Sequence, residues 1–65
     1  MRDELRAAVA AIGRLRARDR LLVGLRVAAG LDWAEIGSVA GMSADAARMA
    51  TARALAKVRQ EVREP

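Results

Sequence analysis

The seventeen residues Asp32-Trp33-Ala34-Glu35-Ile36-Gly37-Ser38-Val39-Ala40-Gly41-Met42-Ser43-Ala44-Asp45-Ala46-Ala47-Arg48 constrain the chain most. Asp32 followed three residues later by Glu35 is a capping pattern that starts a helix. Gly41 stands where that helix must end, because only glycine enters positive φ at little cost. Ser43 then caps a second helix, and Asp45 in its first turn complements the helix dipole. Gly37 lies inside the first helix, where glycine costs about 1 kcal/mol against alanine. A glycine retained there implies another backbone close by. Helix, glycine turn, second helix and a small residue at the crossing describe a helix-turn-helix. An ordinary helical hairpin in a small bundle would show the same local signals.

The remaining segments also read as helix, so the expected fold is all-α: one domain over residues 1–65, four helices, containing a helix-turn-helix. The first helix is expected over Glu4 to Ile12, capped by Asp3, with Leu5, Ala8, Val9 and Ile12 as its apolar stripe. Gly13 weakens it, and Leu15 reads as a buried anchor in the connection. The second is expected from Ala17 to Ala29, burying Leu21, Leu22, Leu25, Ala28 and Ala29, with Gly24 at a close contact and Gly30 as the stop. Leu31 takes the place of a hydrophobic staple ahead of Asp32. In the third, Asp32 to Ala40, the residues Ile36, Val39 and Ala40 point inward and Trp33 is half-buried. The fourth runs from Ser43 to Val62. Its core face is Ala44, Ala47, Thr51, Ala54, Leu55, Val58 and Val62 at 100° per residue. Its outer face holds Asp45, Ala46, Met49, Ala52, Arg53, Ala56 and Gln60, with Arg48 and Arg59 on one edge and Lys57 on the other. Glu64 and Pro65 are expected to fray.

Composition narrows the function. There are 65 residues, with no cysteine and no histidine, so a disulfide is excluded and no zinc site is expected. A chain this short has a marginal core and depends on helix packing or a partner. No apolar run approaches the ~20 residues of a membrane span, and the start Met1-Arg2-Asp3-Glu4 is not that of a signal peptide. Cysteine-free sequence fits a reducing, cytoplasmic setting. Histidine, cysteine and tyrosine are all missing, and no paired acids, metal-ligand spacing or glycine-rich phosphate loop stands out. The expectation is therefore no enzyme, no cofactor, no metal and no small-molecule substrate. Twelve basic residues, eleven of them arginine, leave a net charge of +4 and a pI near 11.4. That excess beside a helix-turn-helix points to a polyanion. Arg14, Arg16, Arg18 and Arg20 alternate across the first junction, either as a solvated connection or as a phosphate-contacting entry to the next helix.

Several motifs, taken in order, resemble region four of bacterial sigma factors of the extracytoplasmic-function type. Leu15-x-x-Arg18-x-Arg20-Leu21-Leu22-x-x-Leu25-Arg26 resembles that family's entry to its second helix. Ala29-Gly30-Leu31-Asp32-Trp33-Ala34-Glu35-Ile36-Gly37 resembles its signature of glycine, leucine, polar, aromatic, any residue, glutamate, isoleucine, small. Val39-Ala40-Gly41-Met42-Ser43 resembles its turn, and Arg53-Ala54 its later Arg-Ala pair. The resemblance covers Leu5 to Val62. It implies a transcription factor of the cytoplasm whose fourth helix enters the major groove of the upstream (−35) promoter element. It further implies docking on core RNA polymerase and masking by an anti-sigma factor.

Carried over residue by residue, the resemblance sets Arg18 and Arg20 near phosphates. Arg48 would lie near bases or phosphates, Arg53 at the backbone or in a structural pair, and Glu35 in an internal ion pair. Arg18, Arg20, Arg48 and Arg53, with Ser43, Asp45, Ala46, Met49, Ala52 and Lys57, make up the expected DNA-binding set. The chain departs from the family at Ala46 and Ala47 (usually threonine and valine), Ala50 (arginine), Thr51 (a larger apolar residue) and Leu55 (often arginine). Its groove-facing surface is thus nearly bare of hydrogen-bond donors. The family's other domain, which opens promoter DNA, has no counterpart here, which fits either an excised domain or a free-standing relative. Two other functions fit the same features: a response-regulator-type output domain dimerising through its last helix, and a protein-interaction module that keeps the fold without reading DNA.

Overall fold

The computed structural model describes residues 2–63. They form α1 (Arg2–Gly13), α2 (Ala17–Val23) continuing into a wider π-helical turn (Gly24–Ala28), α3 (Trp33–Ala40) and α4 (Ala44–Arg63). No strand occurs among the described residues, and the fold is all-α. The expected fraying of Glu64 and Pro65 lies outside these residues.

The α3–α4 unit is built by local chemistry. The Asp32 carboxylate accepts from the Glu35 backbone N–H at 2.8 Å, and the Asp32 N–H donates to Glu35 Oε1 at 3.4 Å. The capping pattern is therefore complete in both directions. Glu35, expected in an ion pair, is spent on this cap and has no cationic partner among the described residues. Leu31 packs with Ile36 in one cluster, as a staple requires. At the far end Gly41 has φ 72° and ψ 37°, and the Met42 N–H donates to the Gly37 carbonyl at 2.8 Å. Ser43 Oγ accepts from the Ala46 N–H at 3.1 Å and opens α4. A Cβ on Gly37 would stand 2.5 Å from the Met42 carbonyl oxygen and 3.2 Å from Ala44 N. The third helix thus lies directly on the turn.

The left-handed turn supplies a stability test. Gly41→Val should lower the melting midpoint more than Ala52→Val on exposed α4. Left-handed backbone costs an L-residue about 1–2 kcal/mol, and most for a β-branched one. Valine in place of a helical alanine costs at most about 0.7 kcal/mol. Equal midpoints in thermal melts would remove the turn assignment.

Helix α4 is about 30 Å long and receives the other three helices along its length. Near its C-terminal half, Ala54 and Val58 pack with Ala11, Leu15 and Val23. Near its N-terminal half, Ala47 and Ala50 pack with Leu22 and Ile36, under Leu25, Trp33 and Met42. Thr51 is fully buried between these groups, and its hydroxyl donates to the Ala47 carbonyl at 2.7 Å. Leu15 is the buried anchor its sequence position suggested.

The structure corrects several expectations. Helix α1 begins at Arg2, which makes Asp3 a first-turn residue and not the cap. Its core face is Ala8, Ala11 and Ile12, while Leu5 and Val9 are 68% and 63% exposed. Packing on α4 favours the alanine side because it lets the helices approach closely. In α2 Val23, not Leu21, is buried, and Ala28 and Ala29 are exposed. Gly24 is exposed with nothing within 4 Å of its notional Cβ, so it marks no close contact. Instead the helix widens there, and the Ala29 N–H reaches back five residues to the Gly24 carbonyl at 3.1 Å. Gly30 stops it at φ 68°. Val39 is exposed on the outer side of α3. Ala50, grouped with the groove-facing residues, is buried against α2 and α3.

Candidate nucleic-acid interface

The exposed side of α4 emerges as the sequence spacing requires. Asp45, Ala46, Met49, Ala52, Arg53, Ala56 and Gln60 are all exposed. Burial of Ala47, Ala50, Thr51, Ala54 and Val58 fixes the rotation of the helix and turns these residues outward. Arg48 is exposed and lies 4.0 Å from Asp45, one turn earlier. The Ser43 side chain is committed to the cap at the start of this face.

Beside this face the fold brings together residues far apart in sequence. Arg16, Arg18, Arg53 and Lys57 line one small cleft where the start of α2 meets the middle of α4. Three of them, Arg18, Arg53 and Lys57, belong to the expected set, and none of the three makes an ion pair among the described residues. Cations left unpaired and clustered make a positive patch suited to a polyanion.

The other arginines of the first junction have different work. Arg20 Nη1 donates to the carbonyls of Gly13 and Leu15, at 3.3 Å and 3.2 Å. It therefore satisfies backbone groups at the end of α1. Arg14 pairs with Glu61 at 3.1 Å and ties the end of α1 to the last turns of α4. Arg16 Nε lies 3.8 Å from Asp19, whose carboxylate forms part of the cleft wall. Asp19 is only 7% exposed and was not singled out as a site residue. Its signal was present as a basic residue at the helix start and an acid three positions on. Trp33 is half-buried under the Arg26 guanidinium, whose carbon lies 4.6 Å from the ring centroid. Its face is thereby occupied within the fold.

Among the described residues no group of acids could hold a metal ion, and no helix is long and apolar enough to cross a membrane. The arrangement defines a small all-α domain with an outward helix face next to a cationic cleft. Comparison with protein-family models, with curated proteins and with solved structures gave no match.

Proposed function

We propose that this chain is the DNA-binding domain of a sigma-like transcription initiation factor, with α3 and α4 as its helix-turn-helix. In this reading α4 enters the major groove of an upstream promoter element. The observation that carries it is the clustering of Arg18, Arg53 and Lys57 beside the exposed face of α4. A helix in the groove brings its flanks to the phosphates on either side, and those flanks are cationic here. The reading places the protein in the cytoplasm. It also gives Leu5 and Val9 a role, as apolar surface that core RNA polymerase or an anti-sigma factor would cover.

Phosphate contacts then supply most of the affinity. Four cations, Arg18, Arg48, Arg53 and Lys57, should give a slope of log affinity against log salt of about −3 to −4. Arg18→Ala should weaken binding to every sequence and bring the slope about one unit closer to zero. Fluorescence anisotropy of promoter and scrambled duplexes at several salt concentrations measures both. An unchanged slope would remove Arg18 from the interface. No binding at low salt would reject the DNA reading and leave a protein-interaction module.

A further inference from the structure

We infer that α4 reads bases through thymine methyl groups, with Met49 as the central contact. This rests on the DNA-binding reading and specifies the kind of site it takes. At 100° per residue Met49 lies 60° from Ala46 on one side and 60° from Ala52 on the other. All three are exposed, Met49 by 52%. They form an apolar ridge across the first turns of the helix, the part that meets base edges in such a motif. The ridge carries no hydrogen-bond donor. Ala50 is buried, and the Thr51 hydroxyl is spent on the Ala47 carbonyl. Asp45 and Arg53 flank the ridge, each 40° round the helix from Met49: Asp45 is an acceptor 4.0 Å from the Arg48 guanidinium, and Arg53 lines the cationic cleft.

Base chemistry selects the ligand for such a surface. Guanine is read by a pair of donors and adenine by a side-chain amide that donates and accepts together, and the ridge has neither. The thymine C5 methyl is the one apolar group in the major groove, and alanine-sized side chains contact it directly. Methionine is flexible and polarizable, so it fits methyls displaced by a few tenths of an ångström. Arg48 and the cleft cations hold the backbone while the ridge discriminates by contact.

The test isolates the methyl group. Three random duplex pools are selected against the 65-residue chain: one with thymine, one with uracil in its place, and one with uracil plus 5-methylcytosine for cytosine. Uracil pairs as thymine does and lacks only the methyl. The thymine pool should yield thymine at two or three adjacent positions. Enrichment at those positions should fall about fourfold per methyl in the uracil pool. 5-Methylcytosine should appear there in the third pool. Met49→Gln, an exposed change, should abolish the methyl dependence at the central position and shift the preference there to adenine. Pools that converge on the same sequence with and without the methyl, or on guanine contacted by Arg48, would overturn the inference while leaving DNA binding intact. Failure to retain any pool at low salt would overturn the DNA reading as well.

Discussion

Ile36→Ala is expected to leave the domain largely unfolded at 25 °C. Ile36 is 0% exposed and is one of the three largest side chains that are fully buried. Its cluster partners are Leu22, Ala47 and Ala50, with Leu25, Leu31, Trp33 and Met42 around them. Truncating a buried isoleucine to alanine costs about 2–5 kcal/mol, depending on how far the site collapses. A single core in a chain below 70–80 residues supplies no more than about 3–5 kcal/mol of stability. The loss is therefore comparable with the whole. Collapse is hindered because Ala47 and Ala50 lie on the long helix α4, which the first cluster also holds through Ala54 and Val58. Urea titration followed by circular dichroism measures the effect. Ile36→Val supplies a graded point at about 0.5–1.5 kcal/mol. A loss below 1 kcal/mol for the alanine variant would show that this cluster does not hold α3 to α4.

Gly37→Ala and Gly24→Ala should move stability in opposite directions. Both replace a helical glycine, and intrinsic propensity alone favours alanine by about 0.8–1 kcal/mol in each case. At Gly24 the notional Cβ meets nothing within 4 Å, so that gain is realised where the wider turn accepts alanine. At Gly37 the Cβ would stand 2.5 Å from the Met42 carbonyl oxygen, a backbone atom. Relieving the overlap moves the turn that sets α4 against α3. Overpacking of this kind costs about 1–3 kcal/mol, enough to outweigh the propensity gain. One kcal/mol corresponds to about 4–8 °C in the midpoint for a domain of this size. Thermal melts should therefore bracket the parent protein, with Gly24→Ala above and Gly37→Ala below. A rise for both would mean that α3 does not lie against the turn. On the proposed DNA-binding function, the Gly37 variant should also lose duplex affinity under conditions where it remains folded, because the turn positions α4.

What the sequence by itself determined is what depends on neighbours within a few residues. The Asp32–Glu35 cap, the Gly41 turn, the Ser43 cap and the stop at Gly30 each rest on hydrogen bonds or backbone angles spanning at most six positions. The close approach at Gly37 was readable for the same reason, since the atoms it meets belong to Met42, Ser43 and Ala44. The long periodic face of α4 was readable because valine and leucine mark its later turns. Tertiary structure decided which face of the alanine-rich α1 is buried. Alanine fits a core and a surface alike, so Leu5 and Val9 drew the apolar stripe to a side that stays exposed, while Ala11 is fully buried. It decided that α2 widens at Gly24 and that Ala50 points inward, because both depend on what packs alongside. It also sorted the arginines. Arg14 meets Glu61 across 47 positions, Arg20 turns back to the end of α1, and Arg18 joins Arg53 and Lys57 in one cleft. Charge counts register all of these alike; only the path of the chain determines which cations meet a carboxylate or a carbonyl of the protein and which, among the described residues, do not.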